Sequence, residues 1–296
     1  MESASPLPTH RISALLDVAR RIVAGYIKGT PNGIKMDPES GLIFSPSHFT
    51  WMDTNHPAAT PRSGYPVEIQ ALWIAALDFI TQHDTTRDWA GLAKRARASF
   101  TRLFTLPNGS LADCLRADSP KTSANDAVVE DAIRPNQLFA ITLGVLTAPE
   151  QTLPILDATR QLLVPGALRS LADAPVNTPL PIWRDGRLLN DPHKPFWPRY
   201  EGDEDTSRKP AYHNGTAWVW LFPSYVEALL LVHGPAAKPL AAALLGSATK
   251  LFNDGCVGQL PEILDGAAPH TQRGCPAQAW SISEFLRVQQ LTTQTP

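Results

Sequence analysis

The distribution of proline and glycine constrains this chain more than any other feature. Its 28 prolines and 18 glycines gather in stretches such as 45–66, 175–210 and 261–276, between segments of helical periodicity. The pattern reads as helices joined by long loops. Loops beyond about 12–15 residues in a compact protein are commonly either functional or disordered. Here they carry tryptophans, histidines and carboxylates, a combination that favours function.

Between the loops, apolar residues recur at three- and four-residue spacing, as in Ile12, Leu15, Leu16, Ala19, Ile22 and Val23 with Arg and Lys between them, which marks an amphipathic helix. Similar patterns run through 67–82, 89–103, 136–146, 150–163, 216–233, 236–253 and 276–290, giving about eight helices. Strand signals are sparse. The pieces 41–44 and 181–183 predict small hairpins at most. The expected class is all-α, a single domain over 1–296 with a helix, long loop, helix rhythm.

Composition excludes several functions. The 296 residues suffice for a large core, and 43% hydrophobic with 18% charged residues is ordinary for a globular protein. A net charge of −2 and a sequence pI of about 6.4 give no basic surplus for phosphates, so nucleic acid is not an expected partner. The apolar stretch 217–232 contains Glu227 and Pro223 and falls short of about 20 uninterrupted apolar residues, so no membrane partner is expected either. MESASPLPTH has no basic segment followed by an apolar one, which makes a cytoplasmic location the default. Cys114, Cys256 and Cys275 lack C-x-x-C spacing; buried thiols are expected, not a disulfide framework or a zinc ribbon.

Two loops concentrate carboxylates among aromatic residues. In the first, Asp53 follows Trp51 and Met52, and Arg62 and Glu68 lie downstream. Apolar surroundings of this kind raise a carboxyl pKa and suit a general acid, while the bland alternative is a turn cap. In the second, Glu262 sits between Pro261 and Ile263, with His270 and Arg273 beyond. It is either a structural partner of Arg273 or a base facing a cleft. Glycoside hydrolysis needs two such carboxyls flanking one bond, with aromatic faces for the sugar. Two further stretches, Arg134 with Asn136 and Tyr212-His213-Asn214 with Trp218, offer hydrogen-bonding groups and a stacking face; capping and core packing explain them equally well. Nucleotide, serine-hydrolase and zincin motifs are absent. His213, Glu262, Asp265 and His270 lack metal-ligand spacing, so neither metal nor cofactor is expected.

The strings TWMDTNHPAATPRSGYPVEIQALW, IRPNQLFAITLG, YHNGTAWVWLFPSYVEALL and GQLPEILDGAAPHTQRGCPAQAWSISEFLR resemble, in order, motifs of the glucosidase domain of glycogen debranching enzymes. The resemblance extends from about Ile12 to Val288. It implies an (α/α)6 toroid, of which about eight of twelve helices are visible here, the shortfall lying on the N-terminal side. It also implies inverting hydrolysis of α-1,6-linked glucose at branch points of glycogen or a branched α-glucan oligosaccharide, the expected partner. Asp53 would be the acid and Glu262 the base, with carboxyls about 6.5–9.5 Å apart. Trp51, Arg62, Glu68, Arg134, Asn136, Tyr212, His213, Asn214, Trp218 and His270 would contact sugar. An open ring would leave apolar faces for self-association or a partner chain to cover. A glucoamylase- or trehalase-like glucosidase and a catalytically silent glycan-binding fragment are the alternatives.

Overall fold

The computed structural model describes residues 9–54 and 61–293. The N-terminal stretch read above for a leader, up to residue 8, and the 55–60 part of the first motif lie outside the described residues.

The helices are α1 (Thr9–Lys28), α2 (Val67–His83), α3 (Trp89–Phe104), α4 (Phe139–Thr142), α5 (Pro149–Arg160), α6 (Lys209–Tyr212), α7 (Phe222–His233), α8 (Lys238–Gly246) and α9 (Ala279–Thr293). Local chemistry sets several ends. The Asp88 carboxylate caps α3 by accepting from the Gly91 N–H, which satisfies one of the donors left open at a helix start. Proline stands in the first turn of α5 and of α7, where its missing N–H is not required. Gly234, with φ +64, ends α7.

Packing links most of these helices through a chain of contacts. Helix α2 contacts α4, α4 contacts α7 and α7 contacts α9, while α1 and α3 pack on α2, α5 packs on α7, and α8 packs on both α7 and α9. The core among these helices includes Ile74, Leu77, Phe100, Phe104, Leu138, Phe222 and Val226. A smaller cluster of Ala132, Leu171, Val176, Leu180 and Ile182 sits apart from it. Helix α1 leaves Leu15, Val18 and Ile22 about half exposed along one side.

Three expected helices prove shorter. The 216–233 pattern begins as a strand and becomes helical only at Phe222, since Trp218, Val219 and Trp220 favour extended backbone. The 136–146 pattern resolves into a 3-10 turn, Pro135–Leu138, and the single turn of α4, closed by Gly144 at φ +68. Around α8 lie 3-10 turns at Gly234–Ala237 and Thr249–Phe252. The run Phe222–Phe252 has the length and mean hydropathy, 1.5, of a membrane span, but Gly234 interrupts it and α8 turns to pack on α7. Cys256 and Cys275 are exposed, and only Cys114 is the buried thiol expected; the exposed pair lies in glycine-rich turns, beside Gly255 and Gly274.

The loops are more ordered than the sequence suggests, because short strands knit them together. β1 (Lys35–Met36) pairs with β2 (Ile43–Phe44), and β8 (Trp183–Arg184) with β9 (Arg187–Leu188), matching the two small hairpins expected. Two sheets were not foreseen. β3 (Gly64–Pro66), β4 (Cys114–Arg116) and β5 (Val128–Glu130) form an antiparallel sheet. β12 (Gln272–Arg273), β11 (Ile263–Leu264), β10 (Ala217–Trp218), β7 (Ala167–Arg169) and β6 (Leu163–Val164) form another in that order. Strands of two or three residues are too short for period-two alternation to show.

Gly64 joins the Asp53 loop to the first sheet. Its φ is +127, and a Cβ there would lie 2.1 Å from the Leu115 carbonyl oxygen and 2.6 Å from the Ala117 nitrogen. Gly64→Ala is therefore expected to cost about 2–4 kcal/mol through strain and overpacking. Urea unfolding measures this, and an unchanged midpoint would refute the close approach.

Candidate active site

The Asp53 loop is anchored from beneath by buried charges. Arg62, with positive φ, places its guanidinium against both Glu68 oxygens at 2.5 and 2.6 Å and its Nε 2.8 Å from Asp113 Oδ2. The same guanidinium donates to Thr50 Oγ1 at 3.2 Å. Asp113 also receives Asn136 Nδ2 at 2.7 Å and lies 3.4 Å from Arg134 Nε. Asn136 Oδ1 accepts from the Trp51 indole at 2.7 Å. Arg134 in turn donates to the carbonyl oxygens of Ser170 and His213 and to Asn214 Oδ1. Thr50 and Trp51, the residues preceding Met52 and Asp53, are thus tied to the far side of the fold through Asp113.

Several expected sugar contacts consequently lie behind the surface. Arg62, Glu68, Arg134, Asn136, His213, Asn214 and Trp218 are each at most 4% exposed, and apart from the His213 ring their polar groups are spent on protein partners: Asn214 Nδ2 donates to the Pro210 carbonyl and Trp218 Nε1 to the Tyr212 carbonyl. They shape the site and do not line it. His270 is partly exposed, with Nδ1 3.0 Å from the Asp265 carbonyl oxygen. Arg273, the possible structural partner of Glu262, instead pairs with Asp265 at 2.9 Å and Glu201 at 3.3 Å.

Glu262 immediately precedes β11, and β11 pairs with β10 so that Ile263 faces Trp218 and Leu264 faces Ala217. This register sets Glu262 opposite Val219, just past β10, whose N–H donates to the Glu262 carbonyl oxygen at 3.3 Å, and the Glu262 side chain reaches Tyr212, which itself packs against Trp218 of β10. There the Tyr212 hydroxyl donates to Glu262 Oε1, and the Cys275 N–H donates to Oε2 at 2.9 Å. The neighbouring residue, His213, points its Nε2 to within 3.9 Å of Asp53 Oδ1, a separation too long for a direct hydrogen bond. The Tyr212 and His213 rings are 4.8 Å apart. Asp53 and Glu262 are therefore gathered at one aromatic cluster by consecutive residues.

The cluster is built of indoles. His213 stacks on Trp218 at 5.1 Å and 10°, and Trp51 stands edge-on to His213, Trp218 and Trp220. Trp220 stacks on Trp280 at 4.6 Å. Trp220, Trp280 and Asp113 were not among the sequence candidates. Asp113 had a signal, a carboxylate set in the otherwise apolar run Leu111–Leu115, which predicts a buried, paired acid. Behind the Trp220–Trp280 stack, a cavity of about 390 Å³ opens on α4, α7 and α9, and neither Asp53 nor Glu262 lines it.

Electrostatics reverse one expectation. The Asp53 side chain is 68% exposed, and the His213 imidazole beside it holds its carboxyl below the usual range, outweighing the partial burial that would raise it. Met52 turns into the core instead. Burial pulls His213 down to about 4, so the ring is neutral near pH 7, and both of its nitrogens lack a hydrogen-bond partner. Among the described residues no group of three His, Cys, Asp or Glu side chains could hold a metal ion.

The histidine shift is also a stability statement. The unfolded ring binds its proton below about 6.5 and the folded ring only below about 4, so between these values the unfolded state holds more protons. Stability due to neutral His213 is complete above about pH 6.5 and is lost as pH falls towards 4, by on the order of 3 kcal/mol. Denaturant melts across this window should show a shallower decline in His213→Phe, and identical slopes would refute a buried neutral ring.

Residues 5–287 match the family model described as amylo-alpha-1,6-glucosidase. The chain is 24% identical over 318 aligned positions to the glycogen debranching enzyme of Saccharomyces cerevisiae, covering 88% of this chain and 20% of that protein. In fold it is similar to neutral trehalase Nth1 from Saccharomyces cerevisiae, with a TM-score of 0.50 and 13% identity over 78% of this chain and 38% of the trehalase chain. With its motifs spread over nearly the whole match, the chain belongs to the amylo-alpha-1,6-glucosidase family.

Proposed function

We propose that this glycoside hydrolase releases α-1,6-linked glucose from branch points of glycogen or a similar α-glucan, with Asp53 as acid and Glu262 as base. The observation that carries the reading is the Tyr212-His213 pair, whose side chains meet Glu262 and Asp53 respectively. The series α2, α4, α7, α9, with α1, α3, α5 and α8 packed on it, corresponds in this reading to four of the six hairpins of an (α/α)6 toroid. A second copy or a partner chain covers the apolar side of α1.

In the reaction, Glu262 takes a proton from water as the water oxygen bonds to the anomeric carbon. The bond from that carbon to the branch oxygen breaks, and Asp53 gives its proton to the departing oxygen. Water attacks from the face opposite the leaving group, so the configuration inverts. Glu262 suits the base role because protein donors already orient it. Asp53 is exposed in the free site, and a bound sugar would exclude water from it, favouring the protonated form an acid needs. His213 is 1% exposed, so its neutral ring backs Asp53 and does not reach the sugar.

The likeness to a trehalase fold favours one competing specificity, a trehalase- or glucoamylase-like glucosidase. Glucose release from a branched limit dextrin, with little from trehalose or maltose, separates them, and the reverse order would refute the debranching reading. Asp53→Asn and Glu262→Gln should each lower kcat by at least about a hundredfold, because the amides cannot exchange the proton. The first sugar detected by NMR should be the β-anomer; α-glucose would exclude inversion. Binding without turnover in the native chain would identify a silent glycan-binding protein.

A pH signature follows from Asp53. The free carboxyl lies below its usual range, and bound substrate raises it, so the proton is lost at lower pH in the free enzyme than in the complex. The alkaline limb of kcat/KM should therefore lie at lower pH than that of kcat. Coincident limbs would show that substrate does not change the surroundings of Asp53.

A further inference from the structure

The carboxylate of Glu262 is held more closely than a reactive base requires for folding. Oε1 accepts from the Tyr212 hydroxyl and Oε2 from the Cys275 N–H. The backbone closes on the same group: Gly274 has φ +65, and a Cβ there would lie 2.3 Å from Glu262 Oε2. Position 274 therefore has no room for a side chain while Glu262 keeps this rotamer. The Glu262 N–H donates to the Cys275 carbonyl oxygen at 2.8 Å, and Ile263 pairs with Arg273, so 274 and 275 are locked in register with 262. Burial, with Glu262 beside it, raises the Tyr212 phenol above its ordinary range, and the hydroxyl remains a donor. Tyr212 is packed in turn against Tyr200 at 5.2 Å and Trp218 at 4.9 Å.

We propose that Tyr212 and Gly274, with the Cys275 N–H, form a cradle that fixes the direction of the Glu262 carboxylate. Tyr212 is then a positioning residue, not the sugar contact its motif suggested. The proposal rests on the reading of Glu262 as base. Each oxygen gives one lone-pair direction to the protein, and those remaining are fixed in space for the attacking water. A glutamate without these donors samples several rotamers, and a displacement of about 1 Å in a reacting group can cost around a hundredfold in rate.

The test compares the native chain with Tyr212→Phe, Gly274→Ala and Glu262→Gln, by glucose release from limit dextrin and by calorimetry with the cationic iminosugar 1-deoxynojirimycin. Tyr212→Phe should lower kcat at least about tenfold with KM within about twofold, since the base loses its aim while sugar contacts persist. Gly274→Ala should do the same. If it does not fold, Tyr212→Phe carries the test, because phenylalanine keeps the ring packing. Native kcat in Tyr212→Phe overturns the cradle. Native kcat in Glu262→Gln overturns the reading of the base itself, so the two failures are distinct. Should the native chain release no glucose, the iminosugar decides: at least tenfold weaker binding in Tyr212→Phe supports the cradle, and equal affinity overturns it. No binding to the native chain overturns the underlying site.

Discussion

Asp113 stands between two buried guanidiniums, and the arrangement of the site depends on it. Arg62 and Arg134 both approach its carboxylate, Asn136 donates to it, and all four residues are at most 2% exposed. Buried charges are costly unless paired and hydrogen-bonded, and removing one partner from such a set typically costs about 3–5 kcal/mol. The expense has a structural return. Arg62 reaches Thr50, Asn136 reaches Trp51, and Arg134 reaches His213 and Asn214. One carboxylate thereby couples the loop bearing Asp53 to the segment that meets Glu262. Glu130, pushed up to about 7 by burial and by Asp113, borders this set through its own β5 and β4 pairing.

The two carboxyls of the proposed pair live under unlike conditions. Glu262 is preformed, with a protein donor on each oxygen. Asp53 is mostly exposed, with the His213 imidazole 3.9 Å away. The division suits their proposed roles: a base must be aimed before water arrives, whereas an acid must change protonation when substrate arrives. Its environment is the one a bound sugar alters most.

Much of this could be read in the sequence. The long helices α1, α2, α3, α5 and α9 follow their apolar spacing closely, because amphipathic periodicity reports directly on which face is buried. The two carboxylate loops were identified from their aromatic neighbours. What was not readable depends on contacts distant in sequence. Whether Arg62 and Arg134 face sugar or core is decided by Asp113, and neither chain position nor residue type reveals that pairing. The direction of the Asp53 shift was misjudged because Met52 turns inward while Asp53 turns out, as successive side chains on an extended segment do. The β10–β11 register, which sets Glu262 opposite Val219, rests on two pairs of residues, too few to leave a periodic trace.

Tyr212 and His213 are adjacent in the chain, and each addresses a different carboxyl. A single peptide unit thus acts as a ruler between the proposed acid and base. Its length is fixed by covalent geometry, and its seat is fixed by Arg134 on the His213 carbonyl and Trp218 on the Tyr212 carbonyl. The surrounding loops, including the long one over 175–210, can then diverge in length and composition without altering that span. On such a scaffold, choice of sugar and capacity for glycoside hydrolysis would be separable properties, and the first could drift while the second is kept.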